Sequence, residues 1–495
     1  MVFSKNTALK QLLEKIRCLA KNKRVKPYLV GGILRDLILK RQKQNPDLDF
    51  CVRKGAIGFG RFLSKSIGCG FVILDKERGY CRLVKKIEGR VYTLDFTDFR
   101  GGNLEEDLLH RDFTINAMAL DLDKVFTEDN PEELMIDPYA GRQDLESGLI
   151  RIVHKKNFLE DPLRILRAFS LSAIFGFKID KQTLKLMQRN KKGLEAVSSE
   201  RIRDELFKIL DTPRAFDYLV KMDKLKILDM IIPEIKIMRR VRQGPYHHLD
   251  VWKHSLETVK QIETLFLELK NHKEIQFYLD EVISSDRKRR CLLKLAALFH
   301  DIGKPDALRH KAGKTIFHGH ERIGTEISEE IIRRLKLSND EWEALSKMVF
   351  WHLRPGYLAD NPALSKRAKF RYFRDTQEEG VSVLLLSMAD QRATRGRLTC
   401  EEDRIHHEKI CLELIKEYFR QKKMVKPKRF INGDMLMKKF KLKASPLIGK
   451  ILSELEELQA IGKIKTKNEA WKAAGKILKK YATSLKNHKI NRKAD

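Results

Sequence analysis

Paired cysteines are missing from this sequence. Its seven cysteines, at positions 18, 51, 69, 81, 291, 400 and 411, are scattered, odd in number and never spaced Cys-x-x-Cys. That excludes a secreted-type disulfide framework and a zinc ribbon. No run approaches the roughly 20 apolar residues of a membrane-spanning helix, and no apolar signal segment opens the chain. No membrane partner is therefore expected, and a cytoplasmic location is. Acidic residues are also short: Asp+Glu number 68 against 100 Lys+Arg in 495 residues, a net charge of +32. So large an excess favours a polyanionic partner, nucleic acid first. With 42% hydrophobic residues, the chain is long enough for several domains, each with its own core.

What is present begins at Tyr28-Leu29-Val30, a short apolar run suited to a buried strand. Gly31-Gly32 follow, then a helical pattern through Ile33, Leu34, Leu37 and Ile38. A strand–glycine–helix turn lets backbone N–H groups approach a phosphate, and Arg35 stands one turn inside to add a charged contact. Asp47 and Asp49 occur in Asp-Leu-Asp-Phe. On a strand, period-two geometry puts both carboxylates on one face, where they can share divalent cations. The stretches 71–74 and 91–96 also pattern as strands, and the second carries Asp95 as a candidate third carboxylate. Carboxylates beside a phosphate cradle point to metal-assisted phosphoryl or nucleotidyl transfer.

In this order the residues resemble the polymerase-β-type nucleotidyltransferases, in particular the tRNA nucleotidyltransferase/poly(A) polymerase family. His110-Arg111-Asp112-Phe113-Thr114-Ile115-Asn116 resembles the family's RRDFTIN run, with His110 replacing the first arginine. The resemblance implies that Arg111, Asp112 and Asn116 orient the incoming nucleotide, that Gly31, Gly32 and Arg35 lie near its triphosphate, and that Asp47 and Asp49 hold Mg2+. Ile136–Val153 is similar to the family's connector between head and neck.

In Phe158–Phe169, Glu160 and Asp161 precede Pro162, which suits a first helical turn, and Asp161 and Arg164, at i and i+3 on that helix, share a face. A carboxylate accepts from an exocyclic amine, and a guanidinium donates to a ring acceptor. Cytosine and adenine present that pair of groups, whereas uracil and guanine reverse it. Asp161 and Arg164 can thus select C and A without a nucleic-acid template. The run resembles the EDPxRxxR signature of the class II, bacterial CCA-adding branch, and Arg167 fills its last position. Ser198–Leu210 starts with a candidate serine cap and resembles a further family motif; Glu200, Arg201 and Arg203 are candidates there for orienting the nucleotide.

A second constellation lies downstream. His254, the pair His300-Asp301 in FHDIGKP, and Asp390 occur in an order similar to the HD phosphohydrolases. Imidazoles and carboxylates suit a divalent transition metal, and hydrolysis of a phosphomonoester or cyclic phosphate is the chemistry implied. His318, His320 and His352 stand nearby in sequence. Residues 420–429 are strongly basic, and 431–470 gives two helical segments parted by Ser445-Pro446, similar to the tails of bacterial CCA-adding enzymes.

The expected architecture is an N-terminal helix (1–24), an α+β nucleotidyltransferase head (25–150), an all-α neck that selects the base and binds RNA (151–240) and an all-α HD domain (241–400). A basic linker (401–430), a helical tRNA-binding tail (431–485) and a disordered end (486–495) complete it. The expected reaction is addition of C and/or A from CTP and ATP to a tRNA 3′ end by two-metal catalysis, with Asp47, Asp49 and Asp95 catalytic. The segment between Asp95 and Asp107 is shorter than the loop of CCA-adding relatives, which in this family accompanies addition of CC alone. An A-adding enzyme or a poly(A) polymerase shares the same motifs. An HD phosphohydrolase with a head that only binds RNA is the alternative of another class, and the intact Asp47/Asp49 pair speaks against it.

Overall fold

The computed structural model describes residues 7–41, 47–128, 131–311, 313–361, 364–423 and 429–491. It divides into two compact units, Met1–Pro233 and Glu234–Asp495.

The first unit opens with the helix Thr7–Asn22 and is built on a six-stranded sheet. Its strands are β1 (Tyr28–Val30), β2 (Asp47–Val52), β3 (Gly70–Asp75), β4 (Tyr80–Ile87), β5 (Arg90–Asp98) and β6 (Ala119–Asp121), in the order β3-β4-β5-β2-β1-β6. Only β2 and β5 pair in parallel; the other pairs are antiparallel. β4 was not anticipated from the sequence.

Alternation decides what each face does. Leu48 and Phe50 of β2, Leu83 of β4, and Leu94 and Phe96 of β5 are buried on one face, beneath the helix Ala56–Ile67. The rings of Phe50 and Phe96 stack at 4.6 Å, and Phe59 of that helix meets Phe96 edge-on at 5.6 Å. Each such phenylalanine contributes about 1.5–3 kcal/mol of burial. A Cβ on Gly60 would lie 2.5 Å from Cys81 Sγ, so glycine there sets how closely the helix approaches the sheet. The opposite face carries Asp47, Asp49 and Asp95.

The neck is helical as expected, with the helices Arg164–Phe175, Lys181–Asn190, Ser199–Leu210 and Ala215–Lys224 and a two-stranded parallel addition, Leu149–Ile150 with Lys178–Ile179. The helix expected to open at Pro162, with Asp161 and Arg164 on one face, leaves Asp161 outside it. A short helix ends at Glu160, Asp161 is extended (φ −147°), and the next helix starts at Arg164. The residue before a proline is pushed out of helical conformation, and Asp161 precedes Pro162. Ser198 takes the expected cap position before Ser199–Leu210, but its side chain makes no capping bond.

The second unit is mainly helical, with two small hairpins, Val282–Ser284 with Arg287–Lys288 and Arg309–Lys311 with Lys314–Ile316. Its centre is the helix Gly380–Ala393, whose residues from Val381 to Ala389 are buried all round, as an apolar core helix must be. It packs among the helices Val251–Glu268, Asn339–Trp351 and Glu401–Lys423.

That last helix corrects the expected linker over 401–430. Residues 401–423 are helical and bury His407, Ile410, Cys411, Leu414 and Ile415, while 424–428 lie outside the described residues. The tail has three helices rather than two, Gly433–Phe440, Pro446–Ala460 and Lys467–Asn491, around a core that includes Leu436, Ile451 and Ala474. The end expected to be disordered is therefore helical to Asn491, and 492–495 lie outside the described residues. Among the described residues no helix is long and apolar enough to cross a membrane.

Candidate active sites

In the first unit, parallel pairing sets Asp49 opposite Asp95, with Asp47 two residues earlier on β2. Burial raises Asp49 above the ordinary carboxylate range, and Asp95 and Asp47 add to the rise while Arg111 and Arg167 oppose it. Like charges gathered in a poorly hydrated corner favour a bound cation. The three expected carboxylates are thus brought together. Asp95 is already engaged: Tyr80 Oη donates to it at 2.6 Å, and the Arg82 guanidinium donates twice at 2.8 Å. Sequence reasoning missed both partners because nothing local to β4 signals that it borders β5.

Gly31 begins the glycine turn at φ +77°, and a Cβ there would stand 2.9 Å from Asp49 Oδ2 and 3.4 Å from Arg111 Nη1. The turn, the aspartate and Arg111 therefore converge on one point. Arg111 is anchored by Asp107 at 3.1 and 3.3 Å.

Arg35 is 5% exposed and lies against the glycine turn, its Nη2 3.2 Å from where a Cβ on Gly32 would stand, and it donates to Asp36 at 2.8 and 3.0 Å and to Asn116 Oδ1 at 2.7 Å, above the ring of Phe175. Asn116 in turn donates to Asp112 at 3.0 Å, and Asp112 also accepts the Phe113 N–H at 2.8 Å and pairs with Arg167 at 2.6 Å. Burial works against the Asp112 carboxylate, but Arg167, Asn116 and the Phe113 amide hold it below the usual range. Arg35, Asn116 and Asp112 thus form one buried chain of hydrogen bonds, ended by the half-exposed side chain of Arg167.

Asp161 and Arg164 do not share one helical face. Arg164 donates to the backbone oxygens of His110 (2.7 Å) and Asn157 (3.1 Å), which locks its guanidinium. Asp161 pairs with Arg201 at 2.7 Å. His110, the family departure, meets Glu160 at 3.0 Å, and its backbone oxygen serves Arg164 whatever its side chain.

In the second unit, His254, His300, Asp301 and Asp390 converge as expected. His254 Nε2 lies 2.9 Å from Asp390 Oδ1, and His300 Nε2 lies 3.3 Å from Asp301 Oδ2 and 3.7 Å from Asp390 Oδ1. The structure adds His320 and His352. Their Nε2 atoms are 3.3 Å apart and face Asp301 Oδ1 at 3.4 and 3.9 Å. Two donor groups result, His254/His300/Asp390 and Asp301/His320/His352, each compact enough for one ion.

The histidines are prepared as ligands. The Nδ1 atoms of His300, His320 and His352 lie 2.9, 2.8 and 2.6 Å from the carbonyl oxygens three residues earlier, which fixes Nδ1 as the donor and turns the Nε2 lone pair inward. His300 Nε2 is buried with no well-formed hydrogen bond. Burial holds His352 down to about 3, so its ring is neutral; without a cation, Asp301 and Asp390 raise His300 to about 10 against the effect of burial, and a bound metal would take the place of that Nε2 proton. This donor set fits divalent transition metals. His320 and His352 stand in sequence as FHGH and VFWH, but only folding shows that both face Asp301. A cleft of about 1130 Å³ opens beside the cluster, lined by Gln243, His247, Lys304 and Arg404. Lys304 Nζ lies 2.7 Å from Asp301 and 2.6 Å from Gln243.

Comparison with known proteins follows the same division. Residues 27–151 match the family described as the poly A polymerase head domain, residues 176–238 the probable RNA and SrmB-binding site of polymerase A, and residues 251–406 the HD domain. The A-adding tRNA nucleotidyltransferase of Deinococcus radiodurans is 30% identical over 440 residues, 88% of this chain and 91% of its own length. The CC-adding tRNA nucleotidyltransferase of Thermus thermophilus is 30% identical over 444 residues, 88% and 89% of the two chains. The solved Thermotoga maritima CCA-adding enzyme complexed with tRNA shares the fold, with a TM-score of 0.60 at 20% identity over 96% of each chain.

Proposed function

We propose that this chain, which belongs to the tRNA nucleotidyltransferase/poly(A) polymerase family, adds C and/or A from CTP and ATP to the 3′ end of tRNA. The observation that carries the reading is the register of Asp49 opposite Asp95, with Asp47 beside them and the Gly31 turn against Asp49. The RNA 3′ oxygen attacks the α-phosphorus, the bond to pyrophosphate breaks, and the hydroxyl proton leaves to solvent. Asp47 and Asp49 would hold Mg2+, which would neutralise triphosphate charge and ease loss of that proton. The chain's own residues do the rest. Arg111 stands beside Asp49 to meet triphosphate charge. Arg164, locked on two carbonyl oxygens, and Asp161, swung off Arg201, face the Watson–Crick edge of the base. The Arg35–Asn116–Asp112–Arg167 chain keeps these groups in register.

Restriction to CC is supported by the segment before the RRD-like run. It is a tight turn in which Asp107 accepts the Arg100 N–H, Glu106 accepts the Gly102 N–H, and Asn103 caps the helix Leu104–Leu109. Transcripts ending before CCA, after C and after CC, each supplied with CTP, ATP or both, decide between these products. Incorporation is lost in Asp47→Ala and Asp49→Ala, and no incorporation by the wild type on any end overturns the reading.

The six-residue cluster of the second unit supports a separate hydrolytic activity on phosphomonoesters or cyclic phosphates. There His254, His300 and Asp390 would hold one divalent metal and Asp301, His320 and His352 a second, which would activate water for attack on the phosphorus. Lys304 is placed to meet a substrate phosphate. Hydrolysis that survives chelation would count against it.

A further inference from the structure

The reaction brings two substrates together across the aspartates, and the sheet gives them unequal surroundings. On one side of β2 lies β1, whose Gly31 turn leans on Asp49. On the other side lie β5, β4 and β3. One row of side chains runs through the register pairs Asp49↔Asp95, Asp95↔Arg82 and Arg82↔Val72. The next row runs Asp47↔Thr93, Thr93↔Val84 and Val84↔Gly70. Because side chains alternate along a strand, Arg82, Val84 and Lys86 of β4 all project from the face that carries the aspartates. The face is open there: Val72 is 47% exposed and Val84 42%. Aliphatic side chains are rarely left together on the open face of a sheet next to a catalytic centre without a use.

We infer that this strip, made of Arg82, Val84 and Lys86 with Thr93 and Val72 beside them, is the track along which the 3′-terminal nucleotides of the RNA reach the aspartates. The inference rests on the nucleotidyltransferase reading above and adds to it the place of the second substrate. If the nucleotide's triphosphate occupies the β1 side, the attacking hydroxyl must arrive from the β5 side, since in-line displacement needs the incoming and departing oxygens on opposite sides of the phosphorus. The strip has the chemistry of a single-strand track: cations alternating with apolar floor, Arg82–Val84–Lys86, and no carboxylate on these two rows beyond Asp47, Asp49 and Asp95. It extends three strand spacings from Asp49 to Val72, about 14 Å at ~4.8 Å per strand, room for two or three nucleotides. Arg82 is the hinge of this arrangement. Its guanidinium is paired with Asp95 here, yet its side chain is 42% exposed, so it can turn to an RNA phosphate and free Asp95 for the catalytic corner.

The test measures KM separately for tRNA and for CTP in Arg82→Ala, Arg82→Lys, Val72→Glu and Val84→Glu. The glutamates put negative charge on the track without touching Asp95. The expected result is a rise of about tenfold in KM for tRNA, with KM for CTP within about twofold of wild type and partial rescue by lysine. For Arg82→Ala, the dependence of log KM for tRNA on log salt flattens by about one, which a merely structural role of Arg82 would not produce. Photocrosslinking of tRNA carrying a 3′-terminal 4-thiouridine maps to residues 72–86 independently of turnover. KM for tRNA unchanged in both glutamate variants, or crosslinks confined to other segments, overturns the track. Wild-type failure to incorporate any nucleotide would instead overturn the parent reading, and the crosslink still tests the track.

Discussion

Replacing Gly31 with alanine should separate catalysis from folding. The residue sits at φ +77°, ψ −145°, a region that residues with a Cβ avoid at a cost on the order of 1–2 kcal/mol. For a unit of this size that is a fall in Tm of about 2–8 °C. The new Cβ would also stand 2.9 Å from Asp49 Oδ2, a distance real Cβ atoms do not tolerate, so the carboxylate must move. Displacing a catalytic group by about 1 Å costs on the order of a hundredfold in rate, close to 2.7 kcal/mol of transition-state stabilisation. Gly31→Ala is therefore expected to remain folded, bind tRNA normally, and lose about two orders of magnitude in kcat for CTP and ATP incorporation. Initial rates on a tRNA lacking its 3′ end, with Tm from calorimetry, measure both quantities. A variant whose kcat stays within about threefold of wild type while its Tm falls as expected would refute the link between the glycine turn and Asp49.

Three further predictions are independent of that one. In metal analysis of purified protein, His352→Ala should lose one equivalent of transition metal and Asp301→Asn two, because Asp301 Oδ2 faces His300 and its Oδ1 faces His320; equal losses would show that Asp301 does not bridge. Arg164→Ala leaves the carbonyls of His110 and Asn157 without their donor, so stability should fall by about 1–3 kcal/mol and discrimination against UTP should weaken together with it, which competition between CTP and UTP would measure. Glu457, 2% exposed, pairs with Arg367 and Arg371; although its burial acts upward, the two arginines hold its carboxyl below the ordinary glutamate value. A depressed acid contributes stability above its unfolded pKa of about 4.3 and loses it as pH falls through the folded value, so the Tm difference between wild type and Glu457→Gln should narrow from about pH 5 downward. A difference that stays constant would sink the assignment.

Local patterns carried much of the site. Asp47 and Asp49 fall on one strand face because strand geometry has a period of two, and no distant contact is needed to know it. Pro162 marked the helix start, but its restriction of Asp161 to an extended conformation was hidden by the helical spacing of Asp161 and Arg164. Arg35 stands beside the glycine turn, but its partner was not legible, because the buried Asn116 that receives its hydrogen bond lies 81 residues away in sequence. The linker expected over 401–430 overlooked apolar positions at Ile410, Cys411, Leu414 and Ile415, since the charged face of that helix dominates its composition.

By itself, the sequence determined the chemistry: which carboxylates can share a cation, which pair can select an amino-bearing base, and which histidines can ligate a metal. These follow from side-chain type and short spacing, properties of the chain before it folds. Only the tertiary structure decided the partners. It set Asp95 opposite Asp49, gave Asp95 to Arg82 and Tyr80, buried Arg35, and turned His320 and His352 onto Asp301. Such pairings are made between segments tens of residues apart, and strand order and helix packing select them by burying apolar faces elsewhere in the unit.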